Sequence, residues 1–312
     1  MPDYTRLIDE ETRAFIHDTE AWYPPDAIDL TIAEQREIYD RMCRNFHRGY
    51  PEGVRTEDRA LGGVPCRIYE VAAPIATVVY FHGGGFVVGG LESHDDVCAE
   101  IAVTVRARVV SVDYRLAPEH RHPAAYDDAC AATRAAAGAF TGPLLLAGDS
   151  AGGNLAAAVA ATFSGDPGAP PIAGQVLIYP GLGGDTGKGS YIKHADAPML
   201  TRDDVIFYQD IRRPEGAADG GAEADPTAAP LGAASFAGLP PTVTFAAECD
   251  PLADDARSYA ARIAADGGQA TCIDEPGLVH GYLRARTTVP RARASFARIT
   301  AALAALAKGE MP

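Results

Sequence analysis

The chain has 312 residues, 47% hydrophobic and 22% charged, which supplies material for one large core and excludes disorder, collagen and coiled coil. Its 27 Lys and Arg against 42 Asp and Glu give a net charge of -15, which repels phosphate backbones and anionic membranes and argues against nucleic-acid and membrane partners. The acidic start lacks the basic, apolar pattern of a secretory signal, and no apolar run is long enough to span a bilayer, so a soluble cytoplasmic protein is expected.

Two helices are expected first, from Thr5 to His17 and from Thr31 to Phe46, the second opened by a Thr31/Glu34 capping box. The turn Trp22-Tyr23-Pro24-Pro25 separates them. Residues 1–50 precede any strand signal and read as an N-terminal helical cap, with 51–312 the catalytic domain and part of 183–212 completing the cap. Strand-like runs from Val54 to Ala60 and Val64 to Val71, joined at Leu61-Gly62-Gly63, read as a hairpin.

Beyond them strands alternate with helices. Thr77 to Phe81 precedes a helix from His94 to Arg106, Val109 to Asp113 precedes Ala124 to Ala137, and Leu144 to Gly148 precedes Ala151 to Phe163. Gln175 to Tyr179, Thr242 to Ala247 and Ala270 to Glu275 are further strands, with helices over Thr201 to Ile211, Leu252 to Ala265 and Arg291 to Ala307. Continuous Val/Leu/Ile strands separated by helices predict an α/β fold with a mostly parallel central sheet covered on both faces. Pro214 to Ala234, rich in Ala, Gly, Asp and Pro, reads as a surface loop. The six cysteines are scattered without metal-ligand spacing, so buried reduced thiols are expected, with no metal and no cofactor.

Gly148-Asp149-Ser150-Ala151-Gly152 fits G-x-S-x-G where a strand meets an alanine-rich helix, the context in which a strained turn presents a nucleophilic serine at a helix N-terminus. His82-Gly83-Gly84-Gly85-Phe86 follows the strand ending at Phe81, and consecutive glycines there can aim their amides at one point. The expected oxyanion donors are Gly83, Gly84 and Ala151.

A serine needs a base, and the histidines are sorted by place. His17 and His47 fall in the leading helices, His94 starts a surface helix, His120 and His122 sit in a Pro-rich loop, and His194 stays open. His280 follows the last strand in a glycine-flanked loop, where a triad base belongs. Of the carboxylates after the strand at Thr242, Asp250 leaves the strand just before Pro251 and is the expected acid, while Asp254 and Asp255 are accounted for by the helix dipole. Phe86, Val87 and Val88 beside the oxyanion loop and Leu278 and Val279 beside the base flank these groups as the expected substrate pocket, with Trp22, Tyr23 and Phe207 as further contributors from the cap.

The ordered blocks His82 to Phe86, Asp113-Tyr114-Arg115-Leu116-Ala117-Pro118-Glu119-His120, Gly148 to Asn154, Asp225-Pro226, Asp250-Pro251-Leu252 and His280-Gly281-Tyr282 make the chain resemble the hormone-sensitive-lipase-like family of bacterial esterases. It departs from the family at Arg121-His122-Pro123, where a Pro and an aromatic usually follow. The resemblance implies an α/β-hydrolase core, a helical cap, cofactor-free hydrolysis of carboxylic esters and often a homodimer. No large exposed apolar segment suggests activation at a lipid interface, so a short-chain or small aromatic ester is expected rather than a triglyceride. It also implies triad roles for Ser150, Asp250 and His280, with Tyr114, Arg115 and Glu119 shaping a loop beneath the site. An amidase or lactonase with the same triad, and a receptor without activity, are the competing expectations.

Overall fold

The structure is a computed structural model that describes residues 2–24, 30–214 and 225–312. Its leading helices are α1 (Tyr4–Leu7), α2 (Glu10–Glu20) and α3 (Ile32–Phe46). The single helix expected from Thr5 to His17 is divided, because Asp9 accepts the Thr12 amide and starts a new helix. The Thr31/Glu34 capping box is formed in full. The turn that starts at Trp22 is described as far as Pro24; Pro25 lies outside the described residues.

β1 (Arg55–Leu61) and β2 (Val64–Glu70) form an antiparallel hairpin, closed by Gly62 and Gly63 at positive φ, the turn geometry that matches strand twist. The alternation then runs β3 (Thr77–Phe81), α4 (Asp95–Val105), β4 (Arg108–Val112), α5 (Ala124–Ala139), β5 (Leu144–Asp149), α6 (Ala151–Ser164) and β6 (Gly174–Ile178). After it come α7 (Gly189–Lys193), α8 (Arg202–Arg212), β7 (Thr242–Cys249), α9 (Ala253–Ala265), β8 (Ala270–Val279) and α10 (Pro290–Leu306). Among the described residues, α7 and a 3-10 helix at Tyr282–Thr287 were not anticipated, and five or six residues are too few to show a period. Of the loop expected from Pro214 to Ala234, residues 215–224 lie outside the described residues; the rest is irregular apart from a short 3-10 turn at Pro230–Gly232.

The strands form one sheet in the order β1-β2-β4-β3-β5-β6-β7-β8, antiparallel at β1/β2 and β2/β4 and parallel from β4 to β8. Alternate residues divide between two cores. Val78, Tyr80, Leu145, Ile178 and Phe245 face α4, α10 and the leading helices, whereas Val79, Phe81, Leu146 and Leu177 face α5, α6 and Ile263 of α9. Phe15, Tyr39, Met42 and Phe46 belong to the first core, so the leading helices are packed into the main body. A fully buried Val, Leu, Ile or Phe is worth about 1.5–3 kcal/mol, so central strands lined this way stabilise the sheet whose C-terminal edge lies above them. That edge carries the site.

Candidate active site

The turn from β5 to α6 is set by close packing of backbone on backbone. A Cβ on Gly152 would lie 1.8 Å from the Phe81 carbonyl oxygen, and one on Gly148 would lie 2.4 Å from the Gly152 carbonyl carbon. Glycine is therefore required on both sides of the turn, and the residue between takes the strain. Ser150 stands at φ 54 and ψ -117, with its amide anchored on the Ile178 carbonyl at 2.9 Å. Its hydroxyl is thereby lifted off the sheet edge.

There it meets the two residues that the sequence paired with it. Ser150 Oγ is 2.9 Å from His280 Nε2, and His280 Nδ1 is 2.8 Å from Asp250 Oδ2. β8 runs past its expected end at Glu275 to Val279 and so delivers His280 directly. Asp250 is fully buried just after β7, its second oxygen held by the Leu252 amide at 2.8 Å. Tyr179 packs edge-on against the imidazole at 4.9 Å. Each contact is one that a serine, base and orienting acid require.

The glycine loop is arranged differently from expectation. The amide of Gly83 donates to Asp149 Oδ1 at 3.0 Å, so Gly83 is not a free oxyanion donor. Asp149 also accepts from Tyr80 Oη at 2.8 Å and lies 3.2 Å from His94 Nε2. Burial acts to raise its pKa, but His94 and the Tyr80 hydroxyl outweigh it and hold the carboxyl well below the usual carboxylate range. Gly84, at φ 129, and Gly85, at φ 60, line the cavity together with Ser150, Ala151 and His280. Among the described residues nothing accepts a hydrogen bond from the amides of Gly84, Gly85 or Ala151. Three amides without a protein acceptor, on residues lining the cavity that holds the hydroxyl, can receive an oxyanion.

The cavity above the serine measures about 400 Å³. Phe86 lines it as expected, but Val87, Leu278 and Val279 do not: they are buried in the first core. The Val87 and Val88 amides both bond to the Gly84 carbonyl, and of the two residues it is Val88 that lines the cavity. Of the three aromatic contributors, Tyr23 lines the cavity, Trp22 packs against the core and Phe207 is exposed, its place taken by Tyr208. Tyr39 and Met42 of α3 and Val205, Tyr208 and Arg212 of α8 complete much of the wall and were not anticipated. Their spacing of three and four along each helix is the one signal that could have found them.

The remaining histidines and acids bond to groups other than the serine, although His122 also lines the cavity. His94 does not begin a surface helix but is buried against Asp149. His194 meets Tyr4 Oη at 3.0 Å, and His122 meets Asp225 at 3.1 Å. Asp255 does more than complement a helix dipole: it is buried and accepts the amides of Leu182 and Gly184 and the Tyr191 hydroxyl, tying the 182–191 segment to α9. Tyr114 donates to the His82 carbonyl at 2.7 Å, Arg115 pairs with Asp128 and Glu119 with Arg36, all in loop-shaping contacts. The six cysteines are free. Among the described residues no three His, Cys, Asp or Glu side chains gather as metal ligands, and no helix is long and apolar enough to cross a membrane.

A family model with the α/β-hydrolase fold matches residues 78–284. Carboxylesterase NlhH of Mycobacterium tuberculosis is 40% identical over 264 residues, covering 80% of this chain and 82% of that protein. The chain belongs to the hormone-sensitive-lipase-like family of α/β hydrolases. Esterase LipI of the same organism is 40% identical over 306 residues, 90% of this chain and 91% of that one. Among solved structures, an ester hydrolase from the metagenome of Lake Arreo, in complex with a bipyridine phosphonate derivative, superposes with a TM-score of 0.86 at 31% identity, over 96% of this chain and 99% of that one. The chain is a carboxylic ester hydrolase.

Proposed function

We propose that this esterase hydrolyses short-chain or small aromatic carboxylic esters through a covalent acyl-enzyme on Ser150. The observation that carries the reading is the unbroken hydrogen-bonded line Asp250, His280, Ser150 at 2.8 and 2.9 Å. His280 takes the hydroxyl proton as Ser150 attacks the ester carbonyl, and Asp250 holds the imidazole in the tautomer this requires. The oxyanion is received by the amides of Gly84, Gly85 and Ala151. His280 then protonates the leaving alcohol, and water repeats the sequence on the acyl-enzyme.

The size of the cavity, about 400 Å³, and its wall of Phe86, Tyr39, Met42 and Tyr208 favour a small ester over a triglyceride. In the same reading residues 1–50 and the 183–212 segment act as a cap over the domain formed by 51–312. The test compares p-nitrophenyl esters from butyrate to decanoate with wild type and Ser150→Ala. A steady fall in kcat/KM with chain length, abolished in the variant, is expected; a decanoate optimum overturns the substrate assignment, and an active Ser150→Ala overturns the nucleophile.

A further inference from the structure

Arg212, the last residue of α8, is 9% exposed and lines the cavity that holds Ser150. Its guanidinium carbon lies 3.6 Å from the centre of the Phe86 ring, so one face of the cation is covered by an apolar surface. Its one polar side-chain contact among the described residues is His122 Nδ1, at 3.4 Å, and no carboxylate among them pairs with it. Of the cavity's other arginines, Arg213 pairs with Asp210 and Arg284 donates to Tyr39 Oη.

A buried cation without an anion is costly, and Arg212 registers the cost: burial pulls its guanidinium down to about 10, against a partial offset from the fields of Tyr114 and Asp225. The three acids lining the cavity do not relieve it. Asp149 is committed to Tyr80, Gly83 and His94, Asp204 closes the capping box of α8 with Thr201, and Glu20 is exposed at the end of α2 and is not among the side chains that Arg212 contacts. Phe86 directly follows Gly85, so a cation on its ring stands a short chain away from an ester carbonyl held by the glycine amides. Stacking on Phe86 engages the face of the guanidinium and leaves its edge of N–H donors for a planar acceptor.

We propose that the preferred ester carries a carboxylate at the end remote from the scissile bond, and that Arg212 is the side chain that receives it. The inference rests on ester hydrolysis at Ser150 and adds the substrate class. The net charge of -15 opposes such a ligand at long range, so its recognition is local, at the buried Arg212 guanidinium stacked beside the oxyanion loop. The carboxylate can belong to the acyl part or to the alcohol part of the ester.

The experiment measures kcat/KM on two pairs of nearly equal size: monoethyl glutarate against ethyl pentanoate for the acyl side, and 4-acetoxybutanoate against pentyl acetate for the alcohol side. Wild type is expected to favour the anionic member of at least one pair, and the favoured pair assigns the side. In Arg212→Met the ratio of anionic to neutral kcat/KM is expected to fall by about 30-fold or more, the loss of a partner from a desolvated charge pair, and Arg212→Lys to retain part of it. A purely structural role, holding Phe86 in place, would lower both members together and leave the ratio unmoved. That result, or a wild type that favours neither anionic ester while hydrolysing the neutral ones, overturns the proposal.

Calorimetry of monoethyl glutarate and 4-acetoxybutanoate with Ser150→Ala separates this inference from the reading beneath it. Tight binding of one of them, lost in Ser150→Ala/Arg212→Met, upholds the anion site even if no ester is turned over. Absence of binding for both overturns the site even if neutral esters are hydrolysed. Should Arg212→Met fail to fold, the wild-type ratios and Arg212→Lys decide.

Discussion

Replacing Asp149 with Ala tests whether the carboxylate beneath the oxyanion loop both stabilises the fold and sets the loop's geometry. Its two oxygens serve Tyr80 Oη at 2.8 Å, the Gly83 amide at 3.0 Å and His94 Nε2 at 3.2 Å, and the carboxylate is buried. Each buried donor left without an acceptor costs about 1–3 kcal/mol. The shared site relaxes in part, so a net loss of about 3–5 kcal/mol is expected, the range seen when one member of a buried charged pair is removed. The Gly83 amide also loses its anchor, and Gly84 and Gly85 follow it in the chain. Because oxyanion donors act on the transition state more than on bound substrate, kcat should fall by roughly 10- to 100-fold with a smaller change in KM. Urea unfolding followed by circular dichroism gives the stability, and p-nitrophenyl butyrate gives the kinetics. Asp149→Asn, which keeps one acceptor oxygen, should lie between wild type and Asp149→Ala and supplies the kinetic result if the alanine variant does not fold. A variant with unchanged urea midpoint and unchanged kcat, or a defect confined to KM, refutes the reasoning.

Three further outcomes are expected. Asp250→Asn preserves shape but not charge, and should lower kcat by on the order of 10⁴-fold, as in other serine triads, with the fold intact by circular dichroism; a loss under tenfold contradicts the acid's assignment. Gly152→Ala forces a Cβ to 1.8 Å from a backbone oxygen, whereas Gly153→Ala meets the Pro180 Cβ at 2.8 Å, so thermal melts should rank Gly152→Ala as the worse by about 1 kcal/mol or more. Burial pushes the pKa of His82 down to about 4, so the unfolded chain binds this proton first; the associated stability is complete above about 6.5 and is lost as pH falls toward 4, approaching about 3 kcal/mol. Urea unfolding between pH 7 and pH 4 should therefore show a steeper acid loss for wild type than for His82→Phe, and parallel curves would contradict it.

What could be read from the sequence was what the backbone dictates locally. Gly148 and Gly152 announce the close crossing that strains Ser150, and chain order with strand ends singles out Asp250 and His280. The sheet was legible because apolar runs of five or six residues, separated by helices, have few other ways to be buried. The errors lie where a neighbour distant in sequence decides. Three consecutive glycines look alike until Asp149 takes the amide of the first, and the same carboxylate draws His94 from the expected surface into the core. Val87, Leu278 and Val279 adjoin site residues in the chain, yet adjacency does not fix which way a side chain points, and all three turn inward. The helical wall of Tyr39, Met42, Tyr208 and Arg212 depends on how α3 and α8 lie over the sheet, which no local motif records.

Hydrolysis at this site requires that Ser150 act as a nucleophile activated by His280. Wild type, Ser150→Ala and His280→Ala would each be treated with diethyl p-nitrophenyl phosphate, following p-nitrophenol release and the mass of the intact and digested protein. One equivalent released and one diethylphosphoryl group on Ser150 are expected in wild type, none in Ser150→Ala, and greatly slowed labelling in His280→Ala. A label on another residue, or labelling of His280→Ala at the wild-type rate, would contradict that assignment.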